Sequence, residues 1–198
     1  NTFEDCIFTA QSPTGYSINL LYYSGSQLTF TRNNVGCTVE NTGCKLYFTG
    51  TWSDITHNVF EKVHLSLFNA RVSHFDNNEI SSTATNTNAI LAYGVKNSTI
   101  NNNLIGVNEA AVGNQYLGIV LNGDGATLIS EDNDIYFNLI FANAAGSYGI
   151  WETTGAGNNT LIGNNCKRVN GVGIKTVNAN TVVVSSWNSS GTVPDFIT

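Results

Sequence analysis

The sequence is poor in charge, in proline and in methionine. Of its 198 residues, 8 are Lys or Arg, 2 are Pro and none is Met, and charged residues make up 11% of the chain. Globular domains usually contain about 25% charged residues. Eight scattered cations do not form the basic stripe that binds nucleic acid through its phosphates, so we expect no nucleic acid partner. No run of 18 apolar residues occurs either, so we expect no membrane insertion.

Amide, glycine and aromatic residues are abundant instead. The chain has 29 Asn, 19 Gly and 21 aromatic residues, and its formal net charge is −6. Disordered chains are rich in charge and poor in aromatic residues, so this composition indicates a folded protein. The length suits one domain with a continuous core.

A short consensus recurs along the chain. Runs that begin with Gly-Ile at 118–119, 149–150 and 173–174 look like short strands, and further runs are built on Asn and Ile. The first Ile, or its equivalent, marks about seven units of 19 to 31 residues, at Ile18, Leu46, Leu65, Ile90, Ile119, Ile150 and Ile174.

The composition of these units is typical of strands. The apolar residues alternate or come in runs of three to five, and most are β-branched or aromatic. The sequence lacks the long amphipathic stretches of helical repeats and the Leu pattern of leucine-rich repeats. It also lacks the six-residue repeat of left-handed hexapeptide helices. Stacked coils of short strands explain the pattern, with apolar side chains inside and Asn at the corners, in left-handed backbone and amide ladders. The sequence therefore predicts an all-β fold, a right-handed parallel β-helix of about seven coils.

These units resemble a known family. Residues 95–105 and 157–165 resemble the Asn-rich coil repeats of right-handed parallel β-helices in the pectate-lyase-like superfamily. The opening residues 1–8 are similar to coils of bacteriophage tailspikes and appendages. The resemblance implies a virion-surface or extracellular protein that forms a homotrimer. It specifies the fold better than the function, because the repeat residues are structural.

Two segments are expected along the chain. The β-helix should cover residues 1–184, and residues 185–198 should form a C-terminal cap or a linker. This tail drops the repeat, and Pro194 interrupts strand pairing. The chain starts at Asn1 inside a strand-like run with no capping helix before it, which predicts that it is a fragment of a longer protein.

The four cysteines show no metal-binding spacing. Cys6 and Cys166 fall where other units have Ile or Phe, so we expect core thiols there. Cys37 and Cys44 flank a turn-rich segment and would form a disulfide in an oxidising compartment, whereas a reducing cytosol would keep both thiols free. The sequence leaves the state of this pair open.

The three histidines are His57, His64 and His74. His57 and His74 occupy similar places in successive units, which predicts a ladder of stacked side chains. A metal site or a catalytic base is the alternative.

Acidic residues cluster in the second half of the chain, at Asp124, Glu131, Asp132 and Asp134, and Glu152 lies in the next unit. Glycoside hydrolysis needs two carboxylates about 5–10 Å apart, a spacing that neighbouring coils provide. The candidate catalytic residues are Asp124, Asp132, Asp134 and Glu152, and an acidic solvated turn is the alternative. Ca²⁺ at Asp124, Glu131, Asp132 and Asp134 is the one cofactor considered, although no calcium-loop spacing occurs. The catalytic motifs of polygalacturonases and pectate lyases are missing.

Three functional hypotheses follow. The leading one is a spike or fibre domain, on a virion or outside the cell, that presents a surface to host glycans. Amides, hydroxyls and aromatic rings bind sugars by hydrogen bonding and stacking, and the expected contact residues are Tyr116, Tyr148, Trp151 and Glu152. The second hypothesis is a polysaccharide depolymerase that uses the candidate carboxylates, and the third is a structural stalk.

Overall fold

The structure, a computed structural model, describes residues 1–10, 18–37, 44–81, 88–107 and 117–188. These residues form 22 β-strands and no helix. In chain order the strands are β1 (Thr2–Glu4), β2 (Ile7–Ala10), β3 (Ile18–Ser26), β4 (Thr29–Thr31), β5 (Asn34–Cys37), β6 (Cys44–Thr51), β7 (Asp54–Thr56), β8 (Val59–Glu61), β9 (Val63–Arg71), β10 (His74–Asp76), β11 (Glu79–Ser81), β12 (Asn88–Tyr93), β13 (Leu104–Val107), β14 (Leu117–Asn122), β15 (Ser130–Glu131), β16 (Asp134–Tyr136), β17 (Leu139–Glu152), β18 (Ala156–Gly157), β19 (Thr160–Ile162), β20 (Asn165–Lys175), β21 (Val182–Val184) and β22 (Trp187–Asn188).

Successive coils contribute strands to three faces, and every pairing among the described strands is parallel. Face A contains β1, β4, β7, β10, β16, β19 and β21. Face B contains β2, β5, β8, β11, β13, β22 and the first halves of β17 and β20. Face C contains β3, β6, β9, β12, β14 and the second halves of β17 and β20. Because β17 and β20 run from face B into face C, these faces form one sheet that wraps about 310° around an axis. The predicted all-β parallel β-helix is confirmed.

The predicted register of the markers holds along most of face C. Ile119 pairs with Ile90 on one side and with Ile150 on the other, and Ile150 pairs with Ile174. The first marker was wrong, because Ile18 pairs with Cys44. An irregularity between Asn19 and Leu21 shifts the register, so that Leu21 is the partner of Leu46.

A column of apolar side chains fills the interior behind face A. Its fully buried members come from six successive coils, and they are Phe30, Ile55, Phe75, Ile100, Ile135 and Leu161. Stacking one such side chain in every coil removes a continuous strip of apolar surface from water, which is the main favourable contribution to folding.

Each coil turns twice through left-handed backbone, on either side of its face A strand. The first turn places one residue per coil at positive φ, at Gln27, Trp52, Val72, Asn97, Asp132 and Asn158. The second turn does so five residues later, at Arg32, His57, Asn77, Asn102, Phe137 and Gly163. Asn, Asp and Gly adopt this conformation easily, whereas Val72 and Trp52 are held there against their preference.

The residue after the second turn forms an amide ladder that runs the length of the molecule. Its Asn members are at most 2% exposed, and they are Asn33, Asn58, Asn78, Asn103, Asn138 and Asn164. Each side-chain oxygen accepts a hydrogen bond of 2.9–3.0 Å from a backbone N–H in the preceding coil. Each side-chain NH₂ donates to a backbone carbonyl of that coil at 2.7–3.0 Å. The ladder therefore satisfies buried backbone groups that the corners leave unpaired.

The ladder positions also show how many coils the molecule has and how many residues separate one coil from the next. Seven successive bonds connect eight positions, from Cys6 to Ser186, and neighbouring positions are 20 to 35 residues apart. We expected each corner Asn both to adopt the left-handed backbone conformation and to form the ladder hydrogen bonds. In the structure, two adjacent residues of each coil divide these roles.

The cysteines divide into three environments. Cys166 is a buried core thiol, as predicted, and burial raises its pKa to about 12. Cys6 was predicted to be a core residue, but it occupies the first ladder position and is only half-buried, because Asn takes that position in the later coils. Cys37 and Cys44 form a disulfide between the end of face B and the start of face C, with their Cα atoms 6.4 Å apart.

The β-helix extends slightly past residue 184, where the sequence predicted its end. β22 pairs with β20, so residues 187 and 188 still belong to a coil. Residues 189–198 lie outside the described residues, and the cap or linker stays a prediction.

Removing one ladder amide should destabilise the protein far more than removing an exposed one. Asn33→Ala leaves the Cys6 N–H and the Phe3 carbonyl without their partner. We expect a loss of about 3 kcal/mol in the free energy of unfolding, measured by urea denaturation. Asn34→Ala, at the exposed next residue, is the matched control and should change stability by less than about 0.5 kcal/mol. Equal effects of the two changes would contradict the ladder's role.

A glycine column explains why the consensus begins with Gly. Gly118 and Gly149 follow one another in face C, and a side chain on either would meet the backbone of the next coil. A Cβ atom at Gly149 would lie 2.5 Å from the Gly173 carbonyl oxygen and 2.6 Å from the Cys166 sulfur. Neither neighbour moves easily, because one is backbone and the other is a packed core atom.

Gly149→Ala should therefore lower the free energy of unfolding by about 3 kcal/mol, because the added methyl group overpacks the interior. Gly106→Ala on β13 is the control, since an added Cβ there meets nothing within 4 Å. We expect the control to unfold at nearly the same urea concentration as the original protein. A destabilised Gly106→Ala variant with an unaffected Gly149→Ala variant would refute the steric argument.

Candidate functional site

The predicted catalytic residue Asp124 organises a loop. Its Oδ1 accepts hydrogen bonds from the backbone N–H groups of Ala126, Thr127 and Leu128 at 2.8–2.9 Å. Its Oδ2 accepts a bond of 2.6 Å from the Thr127 hydroxyl. These donors hold the pKa of the carboxyl far below its usual range. A carboxylate held in this way acts as a turn-forming group.

The other predicted carboxylates on the outer surface lie in different environments. Glu131 forms an ion pair with Lys96 of the preceding coil. Asp132 is exposed and is one of the left-handed corner residues. Asp134 lies on face A and accepts a hydrogen bond of 2.7 Å from the Tyr136 hydroxyl.

Glu152 points into the core of the β-helix. Its side chain is fully buried, and its Oε1 accepts hydrogen bonds from Asn159 at 2.8 Å and from Thr181 at 2.6 Å. The neighbouring coils have a second, shorter ladder at the first turn, in which the Asn133 NH₂ donates to Asn159. The next residue of this ladder is Thr181, whose side chain has no amide. Glu152 therefore accepts the hydrogen bond of the Asn159 NH₂ group from the interior of the β-helix.

Glu152 is therefore separated from the residues expected to act with it. Side chains alternate along a strand, and Trp151 faces outward while Glu152 faces inward. Asp132 lies on the outer corner, so Asp132 and Glu152 do not face one groove. The catalytic and binding roles assigned to these residues stay predictions.

The possible calcium ligands do not converge. Among the described residues, which include Asp124, Glu131, Asp132 and Asp134, no group of three or more His, Cys, Asp or Glu side chains is arranged to hold a metal ion.

Two of the predicted contact residues come together on face C. The rings of Tyr148 and Trp151 stack with their centroids 5.1 Å apart. The Lys175 ammonium lies 5.4 Å from the Tyr148 ring centroid and 5.3 Å from that of Trp151. Tyr116 lies outside the described residues. We call Tyr148, Trp151 and Lys175 the aromatic–lysine patch.

A further aromatic row crosses the opposite end of face C. Tyr22, Tyr47, Phe68 and Tyr93 stack ring on ring, with centroids 4.9–5.8 Å apart. Tyr47 and Phe68 each have a ring of the row on both sides, whereas Tyr22, at one end of the row, is 60% exposed. This row stabilises neighbouring coils more than it offers a stacking surface.

Among the residues whose exposure the structure describes, Trp52 is the most exposed aromatic residue. It lies at a left-handed corner, is 65% exposed, and begins the turn into β7. In the described part of the chain, no other ring or cation covers its indole. An indole with free faces is suited to stack against the apolar side of a ligand ring.

Polar side chains from three coils form an outward column on face A, which begins at Asp54, two residues after Trp52. Asp54 pairs with His74 in register, and the outward column continues to Thr99. Asp76 lies in the adjacent column, where it accepts hydrogen bonds from the Thr99 hydroxyl at 2.8 and 3.0 Å. We call Trp52, Asp54, His74, Asp76 and Thr99 the corner site.

The two carboxylates of the corner site have different environments. The Asp76 side chain is 18% exposed, and burial raises its pKa despite the hydrogen bonds from Thr99 and Asn101. Asp54 is exposed. The strand spacing and the rise per residue place their Cα atoms roughly 8 Å apart. Two carboxyl groups in unlike environments are the usual starting point for acid–base chemistry.

The corner site was not predicted from the sequence, because the similar runs around His57 and His74 suggested a wrong alignment of these coils. His74 stacks on Asp54, whereas His57 is a corner residue equivalent to Asn77, so the predicted His57–His74 ladder was wrong. The five-residue spacing between the two turns was the available signal. It aligns Asp54, His74 and Thr99 in one outward column.

His64 stands apart from the other two histidines. It is buried, and its Nδ1 lies 2.6 Å from the Asn88 carbonyl oxygen, to which it donates. Burial lowers the pKa of this imidazole. The ring lies against a neighbouring coil rather than in solvent.

Comparisons with protein-family models, with curated proteins and with solved structures found no significant match to this chain. Among the described residues there is no helix long and apolar enough to cross a membrane.

Proposed function

We propose that this β-helix is a glycan-recognition module of a virion or extracellular spike. The observation that carries the proposal is the corner site, where an uncovered indole is two residues before the first member of a column of carboxylate, imidazole and hydroxyl groups. Sugar rings have apolar faces and hydroxyl edges, so they fit an aromatic surface that is bordered by hydrogen-bonding groups. The homotrimer implied by the tailspike resemblance is part of the same proposal.

The rigid frame favours this use of the surface. Asp54, His74 and Thr99 stand on adjacent parallel strands, so the coil spacing of about 4.8 Å fixes their separation. Groups that are already in place lose little conformational freedom on binding. The aromatic–lysine patch on face C provides a second contact surface, and it includes the predicted contact residues Tyr148 and Trp151.

Removing the Trp52 ring should weaken glycan binding. A glycan array with the folded protein identifies the bound glycan, and titration calorimetry then compares the variants. We expect Trp52→Ala to lower the affinity at least about tenfold, because a lost stacking contact costs about 1.5 kcal/mol.

Trp52→Phe keeps a ring and should retain most of the affinity. Tyr22→Ala removes a residue that is also exposed but belongs to the stacked row, and it should leave binding unchanged. Absence of glycan binding by the folded protein would overturn the proposal. Unchanged affinity of Trp52→Ala would remove the corner site from it.

The corner-site carboxylates favour a second candidate function, hydrolysis of the bound polysaccharide. Their Cα atoms are roughly 8 Å apart, which allows the carboxyl groups the separation of roughly 6.5–9.5 Å found in inverting glycosidases. Protonated Asp76 would donate its proton to the glycosidic oxygen as the bond from that oxygen to the anomeric carbon breaks. Asp54 would take a proton from the water whose oxygen forms the new bond to that carbon.

Release of reducing ends from the polysaccharide tests this activity. Asp54→Asn and Asp76→Asn should each lower the rate by about 100-fold or more, because each removes one proton-transfer group. Asp132→Asn is the control, since Asn tolerates the same left-handed corner. A loss of rate in Asp132→Asn alone would favour the acidic cluster first suggested by the sequence, and no release by the original protein would exclude hydrolysis.

A further inference from the structure

Asn122 and Gly123 form an Asn-Gly pair at the end of β14. In such a pair the backbone nitrogen of the glycine can attack the side-chain amide of the asparagine, because no glycine side chain hinders the approach. Both residues are half-buried, so each keeps part of its surface in contact with water. The same pair occurs once more in the sequence, at Asn170 and Gly171 in β20.

The fold holds the attacking nitrogen next to the Asn122 amide. The Gly123 N–H donates a hydrogen bond of 2.8 Å to Oδ1 of Asn122. This contact places the nitrogen roughly 3–3.5 Å from Cγ of the amide, which is the separation of a near-attack arrangement. When the N–H loses its proton, the electron pair left on nitrogen points where the hydrogen was, towards the amide. The hydrogen bond therefore aligns the two reacting atoms.

Thr153 provides a donor for the charge that develops during attack. Its hydroxyl donates a hydrogen bond of 2.5 Å to the same Oδ1 of Asn122. Negative charge forms on this oxygen when the nitrogen adds to Cγ, and a donor that is already in place stabilises that charge. The Thr153 N–H also donates to the Leu121 carbonyl at 2.9 Å, which fixes the hydroxyl beside the preceding coil.

Packing of the coils requires glycine at position 123. A Cβ atom there would lie 1.9 Å from the Leu128 carbonyl oxygen and 2.4 Å from the Gly155 carbonyl oxygen. Both neighbours are backbone atoms, which do not move aside easily. A bulkier residue that would shield the Asn122 amide is therefore excluded at this position by the fold.

We infer that Asn122 is a site of spontaneous deamidation. The Gly123 nitrogen, after losing its proton to water or hydroxide, forms a bond to Cγ of Asn122. The bond from Cγ to Nδ2 breaks, and Nδ2 takes up a proton and leaves as ammonia, so that a cyclic succinimide remains. Water then adds to one of the two ring carbonyl groups and breaks its bond to nitrogen, which gives Asp or isoaspartate at position 122.

Both products change the molecule at this point. Each adds a negative charge two residues before Asp124. In the Asn122 main chain, the carbonyl oxygen accepts hydrogen bonds from the Gly94 N–H at 3.0 Å and from the Ser130 hydroxyl at 2.6 Å. Isoaspartate converts this carbonyl into a free carboxylate and directs the backbone through the former side chain, so the end of β14 no longer fits its neighbours.

Peptide mass spectrometry tests the inference after incubation of the folded protein in water enriched in heavy oxygen. The incorporated oxygen marks conversion that took place during the incubation rather than during digestion. We expect Asn122 to convert at least about tenfold faster than Asn170, because a near-attack arrangement accelerates ring closure. Gly171 is instead the register partner of Ser147, which holds Asn170 in extended backbone.

The unfolded chain is the matched control. Asn122 and Asn170 both follow an aliphatic residue, Leu121 or Val169, and both precede glycine. In protein unfolded by urea the two sites should therefore convert at similar rates. A difference of the same size in folded and unfolded protein would show that the local sequence sets the rates and would overturn the inference.

Variants of Thr153 test the hydroxyl donor. Thr153→Val keeps the shape of the side chain and should slow conversion at Asn122 about tenfold, whereas Thr153→Ser should retain the original rate. Asn170 serves as the internal standard, because a general loosening of the fold would change conversion at both sites.

The inference does not depend on glycan recognition. Equal rates at Asn122 and Asn170 in the folded protein, or faster conversion at Asn170, overturn it. An Asn122 that stays intact in the folded protein while the unfolded chain converts also overturns it, because the fold would then protect the amide. An unchanged rate in a folded Thr153→Val variant contradicts the part assigned to the hydroxyl.

Discussion

The buried amide ladder is the interaction on which the rest of this structure depends. A chain that turns twice per coil inside a packed solenoid must satisfy the backbone groups at every turn, because unpaired buried N–H and C=O groups are costly. One Asn per coil does so by accepting from one backbone group and donating to another. The ladder thereby aligns the coils, and variation in coil length, from 20 to 35 residues, is confined to the segments between turns.

This alignment builds the outer surface as well as the core. Positions near each ladder residue are aligned with the equivalent positions of the next coil. Side chains that are distant in sequence therefore become neighbours one strand apart. Asp54, His74 and Thr99 meet in this way, and Trp52 occupies the left-handed corner two residues before Asp54. Trp52 is held at positive φ, which an aromatic residue adopts rarely, and its indole is exposed to solvent at this corner.

The two sides of each strand separate the side chains of the core from those of the outer surface. Glu152 and Trp151 are adjacent in sequence, yet one completes an internal hydrogen-bond network and the other belongs to an external surface. The same distinction applies to the cations. Lys96 is neutralised by a carboxylate of the next coil, whereas the Lys175 ammonium lies over the Tyr148 and Trp151 rings.

The sequence by itself determined the solenoid, because β-branched and aromatic runs, recurring Gly and abundant Asn are local properties that specify short strands and tight corners. It also determined most of the stacking, as Ile90, Ile119, Ile150 and Ile174 are in register. Tertiary structure alone decided which polar residues meet and which face inward. A one-residue shift in strand register changes which side chains meet and which face inward. Composition and spacing do not resolve such a shift when coil length varies.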